Sequence, residues 1–350
     1  MKTIVLTGGG TAGHIYPLLA VKERLENENY KFVYIGGKGM EKEIASKEMP
    51  FYEISTVKLE RKFTLKNFLI PFKLIKSIKE AKRLLEKLKP NLIFSKGGFV
   101  AMPVVIAGAK LNIPIISHES DLSFGLANKI ILKRCNLMCT TFEETAKNNN
   151  KCLYTGQPIR KTILNGNKQN VYKLGNFDKN LPNLLVVGGS LGAQFINEKI
   201  WKNIEKLNTK FNIVHIAGKQ AQNNKHSAKN YLQVDYAQNM GDFLAFANIV
   251  LSRAGAGAIN EFLTVKKPML LIPLSKKCSR GDQIENAKLF KSLNIADVLE
   301  EEDYDDKLFL IKLENLAKNA TNYKKNMSKI QNFDACEKII EQIKKYELKK

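Results

Sequence analysis

Short apolar runs alternate with longer amphipathic stretches along the whole chain of 350 residues. The short runs have the length of buried strands, and the stretches between them repeat apolar residues at helical spacing. Strands separated regularly by helices are typical of a parallel sheet with crossover helices, so the pattern predicts an α/β fold. The predicted strands are Thr3–Leu6, Phe32–Ile35, Leu92–Ser95, Ile113–Ser117, Leu137–Thr140, Leu184–Val187, Phe211–Ile216, Tyr231–Val234, Ile249–Leu251 and Met269–Ile272, and the predicted helices include Tyr16–Asn27 and Phe72–Leu88.

The alternation is interrupted at Gly156-Gln157-Pro158-Ile159-Arg160, and a polar run rich in Asn and Lys follows to about Asn180. We therefore predict two Rossmann-like domains that face each other across a cleft. Ligands of such sheets bind outside the carboxyl ends of the strands, so the chemistry is expected in that cleft. The predicted domains are residues 1–160, joined by a C-terminal helix at 331–350, and residues 161–330.

Composition narrows the class of protein. Apolar residues make up 44% and charged residues 26%, which excludes a disordered or collagen-like chain. The net charge of 56 − 34 = +22 favours an anionic partner such as a nucleic acid, a lipid surface or a phosphorylated substrate. Five scattered cysteines without a CxxC pair predict neither a disulfide framework nor a zinc site and suit a reducing cytosol. The apolar runs are too short for a transmembrane helix or a signal peptide.

The segment Gly8-Gly9-Gly10-Thr11-Ala12-Gly13-His14 lies between a predicted strand and a predicted helix. Glycines there let backbone N–H groups approach a phosphate, and the helix start adds partial positive charge. The spacing matches the dinucleotide fingerprint, but the second strand ends in Tyr34-Ile35-Gly36-Gly37 without the acid that binds a ribose, which argues against NAD. A plain tight turn remains an alternative. His14 is a candidate general base or sugar ligand.

Similar turns follow other predicted strands. Lys96-Gly97-Gly98 and Gly188-Gly189-Ser190-Leu191-Gly192 repeat the glycine pattern, and Ser252 to Glu261 places small residues before a helix. Glu261 could accept two ribose hydroxyls or could lie on a solvated helix face. Ser117-His118-Glu119-Ser120-Asp121 gathers polar groups at a strand end, where a ligand site and a local salt bridge are both open. His215 is expected to be structural and His226 exposed.

Together these segments, from Gly8 to Asn286, resemble the GT-B glycosyltransferases of peptidoglycan synthesis. These enzymes transfer N-acetylglucosamine (GlcNAc) from UDP-GlcNAc to undecaprenyl-diphosphate-linked N-acetylmuramoyl pentapeptide. The resemblance implies inverting transfer, in which the acceptor sugar hydroxyl attacks the anomeric carbon opposite the departing UDP. Helix starts and backbone N–H groups would stabilise the charge on UDP. It implies no metal site and no tightly bound cofactor, and stimulation by a divalent cation stays open.

The resemblance also assigns residues. It implies catalytic roles for His14 and Glu119, and an acceptor-diphosphate site at Gly9, Gly10, Gly97 and Gly98. The residues it implies for UDP-GlcNAc are Thr11, Ala12, Gly13, Asp121, Arg160, Ser190, Ala237, Ala256, Gly257, Ala258, Ile259, Asn260, Glu261 and Gln283. The chain departs from the family pattern at Ala12 (usually Gly), Phe99 (Tyr), Ser120-Asp121 (Gln-Asn), Leu191 (Gln) and Ala258 (Thr).

The stretch from Lys58 to Lys89 carries eleven Lys or Arg and three Glu around apolar residues such as Phe68 and Phe72. Such a stretch can rest on an anionic leaflet, although a core helix with a charged outer face would look alike. The resemblance therefore implies a peripheral protein on the cytoplasmic side of the inner membrane, with other cell-wall and cell-division proteins as further partners.

Two other classes of protein remain open at this point. The charge of +22 would suit a nucleic-acid-binding protein, but no RNP, KH, zinc-knuckle or helix-turn-helix signature accompanies it, so no nucleic acid is expected as a partner. Another GT-B enzyme that acts on a glycolipid is the second alternative, since fold alone does not select a substrate.

Overall fold

The computed structural model describes residues 1–56, 70–147, 149–189, 192–218, 221, 225–277, 279–330 and 334–347. Within them the strands are β1 (Lys2–Thr7), β2 (Tyr30–Gly36), β3 (Phe51–Glu53), β4 (Leu92–Ser95), β5 (Ile115–Glu119), β6 (Leu137–Thr140), β7 (Cys152–Tyr154), β8 (Asn183–Val187), β9 (Asn212–Ile216), β10 (Tyr231–Val234), β11 (Ile249–Ser252), β12 (Met269–Leu271) and β13 (Ala296–Val298).

The helices in the same residues begin with a 3₁₀ turn at Ala12–His14 and include a second at Glu301–Asp303. The α-helices are α1 (Tyr16–Leu25), α2 (Met40–Ala45), α3 (Ile70–Leu88), α4 (Gly98–Lys110), α5 (Leu126–Leu132), α6 (Glu143–Ala146), α7 (Lys161–Leu164), α8 (Lys168–Tyr172), α9 (Gln194–Lys202), α10 (Ile204–Leu207), α11 (Met240–Phe246), α12 (Ala256–Thr264), α13 (Asp282–Ser292), α14 (Asp306–Lys318), α15 (Ala320–Met327) and α16 (Ala335–Glu347). Across the described ranges, no helix combines the length and apolar character needed to span a membrane.

The chain forms two compact units. The first comprises the described residues from Met1 to Arg160 together with those from Asp334 to Glu347, and the second those from Lys161 to Ile330. Both units are built on parallel sheets with helices between the strands, and this confirms the predicted α/β fold class.

The described strands of the first unit form a parallel sheet in the order β3-β2-β1-β4-β5-β6-β7. The order reverses between β1 and β4, whose carboxyl ends lie side by side because Thr7 is in register with Ser95. Successive residues of β1 point to opposite faces, so Ile4 packs with α1 and α16 while Val5 packs with α3 and α4. Helices therefore cover both faces of the sheet and leave its carboxyl edge for the turns.

The second unit repeats this arrangement in the order β10-β9-β8-β11-β12-β13. Its order reverses between β8 and β11, where Val187 is in register with Ser252. Leu184 and Val186 are buried in a core shared with α9 and α14. In each unit the strand order reverses beside the glycine turns, which is where open α/β sheets bind ligands.

One strand was predicted in the wrong place, and three short strands were not predicted. The strand predicted at Ile113–Ser117 is observed at Ile115–Glu119, so His118 and Glu119 lie inside the strand instead of after it. Pro114 has no N–H to donate to a ladder, and its carbonyl accepts from Ile93, so the chain enters the sheet after the proline. The short strands β3, β7 and β13 were missed because each is three residues long and carries too little periodicity.

Candidate functional site

The turn after β1 is held from inside by Glu41, a carboxylate that is 2% exposed. Gly10 N–H donates to its Oε2 and Gly37 N–H donates to its Oε1, both at 3.2 Å. A Cβ added to Gly9 would lie 2.6 Å from the Glu41 carboxyl carbon, so this turn requires glycine. Sequence reasoning missed Glu41. The run of glycines just before it was a signal that the backbone there lies close to another group.

His14 ends the 3₁₀ turn that follows, and it is half-buried. Its Nδ1 lies 3.0 Å from Thr11 Oγ1, so this hydrogen bond sets the orientation of the ring. A Cβ built on Gly98 would lie 3.6 Å from His14 Nε2, which places that nitrogen beside the turn after β4. The tautomer that donates Nδ1–H to Thr11 carries on Nε2 the lone pair a general base needs. Ala12 and Gly13 lie in the turn itself, where Ala12 is half-exposed and Gly13 is exposed.

Backbone N–H groups of the turn after β4 also donate to side chains of the protein itself. Gly97 and Gly98 have φ of +76° and +79°, where glycine is favoured. Gly97 N–H donates to Ser95 Oγ at 3.0 Å, and Gly98 N–H donates to Asn128 Oδ1 at 2.9 Å. Together with Gly10, three of the amides expected to bind the acceptor diphosphate thus already donate to protein side chains.

Glu119 lies behind this turn and is 4% exposed. Its Oε2 accepts from Asn128 Nδ2 at 2.7 Å, and its Oε1 accepts from Asp121 N–H at 3.0 Å. Burial, followed by the charge of Asp121, raises the pKa of the Glu119 carboxyl. The structure therefore connects Glu119 to Gly98 through Asn128, a residue that sequence reasoning missed.

His118 is enclosed in β5 with no exposed surface. Its Nε2–H donates to Gly156 O at 2.9 Å. Burial, and secondarily the positive charge of Lys96, holds the pKa of His118 well below its usual range, so the ring is neutral. A salt bridge between His118 and Glu119, one of the two sequence-based alternatives, is therefore not what this pair forms.

Arg160 stacks its guanidinium on the ring of Tyr16, with Cζ 3.8 Å from the ring centroid. Its Nε is buried and has no hydrogen-bond partner in the described part of the chain. The cation–π contact ties Arg160 to the start of α1, three residues from the middle of the turn that carries His14. Tyr16 had no role in the sequence analysis because a lone aromatic at a helix start is usually a core residue.

In the second unit, two glycines of the turn after β8 differ in how closely other atoms approach them. A Cβ added to Gly192 would lie 2.3 Å from Ala217 O, whereas one added to Gly189 would meet no described atom within 4 Å. Ser190, expected to contact the donor, lies outside the described residues, as does Leu191.

The turn after β11 leads into α12 through Gly255. This residue has φ of −69°, and a Cβ on it would meet no described atom within 4 Å. The first helical hydrogen bond runs from Ile259 N–H to Gly255 O at 3.1 Å, and the Ile259 side chain is buried in the core. The first-turn amides that precede it have no intrahelical acceptor, which makes this helix start suited to an anion. These amides belong to Ala256, Gly257 and Ala258.

The other residues predicted to bind the donor lie on α12, at the start of α13 and in the loop after β10. Glu261 is half-exposed on α12, and Asn260 Nδ2 donates to Ala256 O at 2.8 Å within the same helix. Gln283 Oε1 accepts from Leu274 N–H at 3.0 Å. Ala237 lies in the loop between β10 and α11 and is half-buried.

Two further side chains support these turns and were not assigned by sequence reasoning. Asn286 is fully buried on α13 and donates from Nδ2 to Ala254 O at 3.2 Å. Arg253 Nη1 lies 2.5 Å from Glu301 Oε1 and donates to Ile272 O at 3.1 Å. Among the described side chains, no group of three or more His, Cys, Asp or Glu is arranged to hold a metal ion.

Both halves of the chain match domains of one family. Residues 4–140 match the glycosyltransferase family 28 N-terminal domain, and residues 183–343 match its C-terminal domain. A UDP-N-acetylglucosamine–N-acetylmuramyl-(pentapeptide) pyrophosphoryl-undecaprenol N-acetylglucosamine transferase from Clostridium tetani is 48% identical over 352 residues, covering 99% of this chain and 98% of its own. The protein of that name from Clostridium botulinum strain Langeland is 46% identical, covering 99% of each chain.

Solved structures show the same fold. The crystal structure of Acinetobacter baumannii MurG aligns over 99% of this chain and 100% of its own, with a TM-score of 0.76 and 23% identity. The glycosyltransferase of kitacinnamycin aligns over 99% of this chain and 98% of its own, with a TM-score of 0.76 and 12% identity. These two similarities concern the arrangement of the backbone, which agrees with the predicted GT-B architecture.

Proposed function

The chain belongs to glycosyltransferase family 28, and from this membership we propose that it transfers GlcNAc from UDP-GlcNAc to a pyrophosphoryl-undecaprenol-linked N-acetylmuramyl pentapeptide. The observation that carries the proposal is the 46–48% identity to transferases of that name along the full length of both chains. In each unit the turns that would bind substrate lie where the strand order reverses, which supports the same conclusion.

On the acceptor side, His14 is the proposed general base. Its Nε2 takes the proton of the acceptor hydroxyl as the oxygen attacks the anomeric carbon of GlcNAc. The bond between that carbon and the UDP oxygen breaks on the opposite face, which inverts the centre. Glu119 contributes through Asn128, which fixes the turn beside His14.

The acceptor diphosphate is proposed to bind over the turns that contain Gly9, Gly10, Gly97 and Gly98. Gly10, Gly97 and Gly98 donate their amides inward, so their part is to let the diphosphate approach the backbone closely. Thr11, Ala12 and Gly13, at the start of the 3₁₀ turn, keep their proposed role in binding UDP-GlcNAc, where they would approach the transferred sugar or its diphosphate.

The donor is proposed to bind in the second unit at the start of α12. The amides of residues 256–258 would receive the diphosphate and stabilise the charge that UDP gains as it leaves. Glu261, half-exposed on the same helix, would accept the ribose hydroxyls, and Gln283 would contact GlcNAc. Asp121, Arg160 and Ala237 keep the UDP-GlcNAc contacts that the resemblance implies. Ser190 keeps its proposed role from the sequence alone.

A peripheral position on an anionic membrane is proposed for α3. Ala81 and Leu85 are buried against the core, whereas Phe72 is 72% and Ile75 52% exposed beside lysines. Exposed apolar side chains among cations are suited to an anionic leaflet. The part of the basic stretch at residues 57–69 lies outside the described residues.

The transfer is tested with labelled UDP-GlcNAc and a lipid-diphosphate-linked N-acetylmuramyl pentapeptide. The label is expected to move into the lipid fraction only when both substrates are present. Transfer to a glycolipid without the muramyl sugar at an equal or higher rate would overturn the substrate assignment.

The membrane position is tested by flotation with vesicles that contain or lack anionic lipid. Binding is expected only to the anionic vesicles, and the pair Phe72→Ser and Ile75→Ser should weaken it severalfold. The matched control is Leu308→Ser with Ile311→Ser, an exposed apolar pair on α14 of the second unit. Equal loss of binding in both pairs, or no binding by the natural chain at low salt, would contradict the proposal.

A further inference from the structure

Lys96 is an ionisable side chain that the mechanism above does not use. It follows β4 directly, is 1% exposed, and has its Cβ 3.1 Å from where a Cβ on Gly8 would stand. It therefore lies beneath the turn after β1 and immediately before the turn after β4. A buried lysine is costly unless its ammonium is paired and hydrogen-bonded, so its presence needs an explanation.

The ammonium of Lys96 begins a chain of side-chain hydrogen bonds. Its Nζ donates to Ser120 Oγ, and Ser120 Oγ donates to Gln157 Oε1 at 3.0 Å. Thr141 Oγ1 donates to the same Gln157 oxygen at 2.9 Å. The chain joins the segments that follow β4, β5, β6 and β7, and Gln157 lies three residues before Arg160.

The ionisable groups around Lys96 differ in whether they carry charge at neutral pH. Glu119 and Asp121 attract the ammonium, while burial, the larger effect, lowers the pKa of Lys96 to about 8. His118 on β5 is neutral, and burial raises the pKa of the Cys139 thiol on β6 to about 12, so neither carries charge at neutral pH. Lys96 is thus the cation that faces two carboxylates behind the His14 turn.

We propose that Lys96 is a positioning residue of the transferase: its buried ammonium holds Ser120 and Gln157 in place and balances Glu119 and Asp121. The inference rests on the proposed function, because the geometry it preserves is that of the turn beside His14. Without the cation, two carboxylates repel each other behind that turn, and Glu119 no longer holds Asn128 in one orientation. The expected consequence is slower transfer with nearly unchanged donor binding.

The first test is the pH dependence of kcat in Lys96→Met. At pH 7 the variant is expected to show a kcat lowered about 10- to 100-fold, with KM for UDP-GlcNAc within about twofold. The natural chain should lose kcat as the pH rises through about 8, and Lys96→Met should lack this alkaline decline. The matched control is Lys267→Met in the second unit, whose lysine is half-buried and likewise has its pKa lowered by burial to about 8. That variant should keep both kcat and the alkaline decline.

Unfolding at alkaline pH does not explain the expected fall in kcat. Burial lowers the pKa of Lys96 in the folded chain, so between about pH 8 and the usual lysine pKa of 10.5 the unfolded chain binds more protons. The contribution of Lys96 to the free energy of unfolding therefore rises with pH in that window. A fall of kcat there cannot come from loss of folding at this group.

The second test adds Asp121→Asn to Lys96→Met. Removing one carboxylate relieves the repulsion, so at saturating UDP-GlcNAc, which offsets any loss of the proposed Asp121 donor contact, the double variant should recover several-fold of the kcat lost in the single variant. A cavity left by the lysine would give no such recovery. Should Lys96→Met fail to fold, Ser120→Ala serves instead, because loss of the ammonium's acceptor should move the alkaline decline below pH 8. Natural kcat with an unchanged alkaline decline in these variants would overturn the inference, whereas absence of GlcNAc transfer by the natural chain would overturn the proposed function.

Discussion

The turn after β4 in the first unit and the turn after β11 in the second differ in their surroundings. A Cβ on Gly97 would lie 2.2 Å from Asn128 Oδ1, and its φ is +76°. A Cβ on Gly255 would meet no described atom within 4 Å, and its φ is −69°. The first glycine is required by the protein itself, whereas no described atom fills the space beside the second.

This difference separates two uses of the same sequence pattern. In the first unit, Glu41, Ser95 and Asn128 accept the turn amides, so the turns form a fixed support for His14. In the second unit, the amides at the start of α12 lack intrahelical acceptors, an arrangement that suits an anion. Substitutions in the first unit should therefore act through geometry, and those at the start of α12 through ligand binding.

The largest effect is expected for His14→Ala. Loss of a general base should lower kcat by about 10²- to 10⁴-fold, because the acceptor hydroxyl would attack without proton removal. KM for UDP-GlcNAc should change by less than about threefold, and the free energy of unfolding should hardly change because His14 is half-buried. Steady-state kinetics on both substrates measures this. Equal losses in kcat and donor affinity would remove His14 from the role of base.

Gly97→Ala is expected to destabilise the first unit by about 2–5 kcal/mol. The new methyl group adds a left-handed backbone penalty to a clash with the Asn128 side chain. Urea denaturation followed by circular dichroism measures the change. A stability equal to that of the natural chain would mean that this turn is no more constrained than the one at Gly255.

Asn128→Ala tests the support without altering a glycine. The change leaves Gly98 N–H without its acceptor and Glu119 Oε2 without one donor, which should cost about 1–3 kcal/mol of unfolding free energy. A fall in kcat larger than any rise in donor KM is expected as well, because the turn beside His14 loosens. Unchanged kcat in a folded variant would show that the link from Glu119 to Gly98 does not serve the reaction.

Gly255→Ala should have the smallest effect on stability, less than about 1 kcal/mol, because an N-cap glycine changes to alanine without a clash with any described atom. Its methyl group would stand where the donor diphosphate is proposed to approach, so UDP affinity should fall about tenfold. Calorimetric titration with UDP measures the affinity, and denaturation measures the stability. Unaltered UDP affinity would move the proposed diphosphate site away from this turn.

Much of the framework followed from local pattern. The strands Leu92–Ser95 and Leu137–Thr140 were predicted with their observed bounds, since buried parallel strands are short apolar runs. The glycine turns were placed correctly after β1, β4, β8 and β11 because their glycines follow these apolar runs in the sequence. The side chains that hold these turns were missed because their partners lie far away in sequence: Glu41 is 31 residues from Gly10, and Asn128 is 30 from Gly98.

Apolar periodicity and glycine spacing by themselves determined that this chain folds as two α/β units with glycine turns after particular strands. Both signals are local, because a strand or a turn is encoded within a few residues. Tertiary structure alone decided which turn amides donate inward, that His118 and Glu119 are enclosed in a strand, and that Lys96 is buried opposite two carboxylates. Those outcomes depend on burial and on charges brought together across a sheet, and neither has a signature in neighbouring residues.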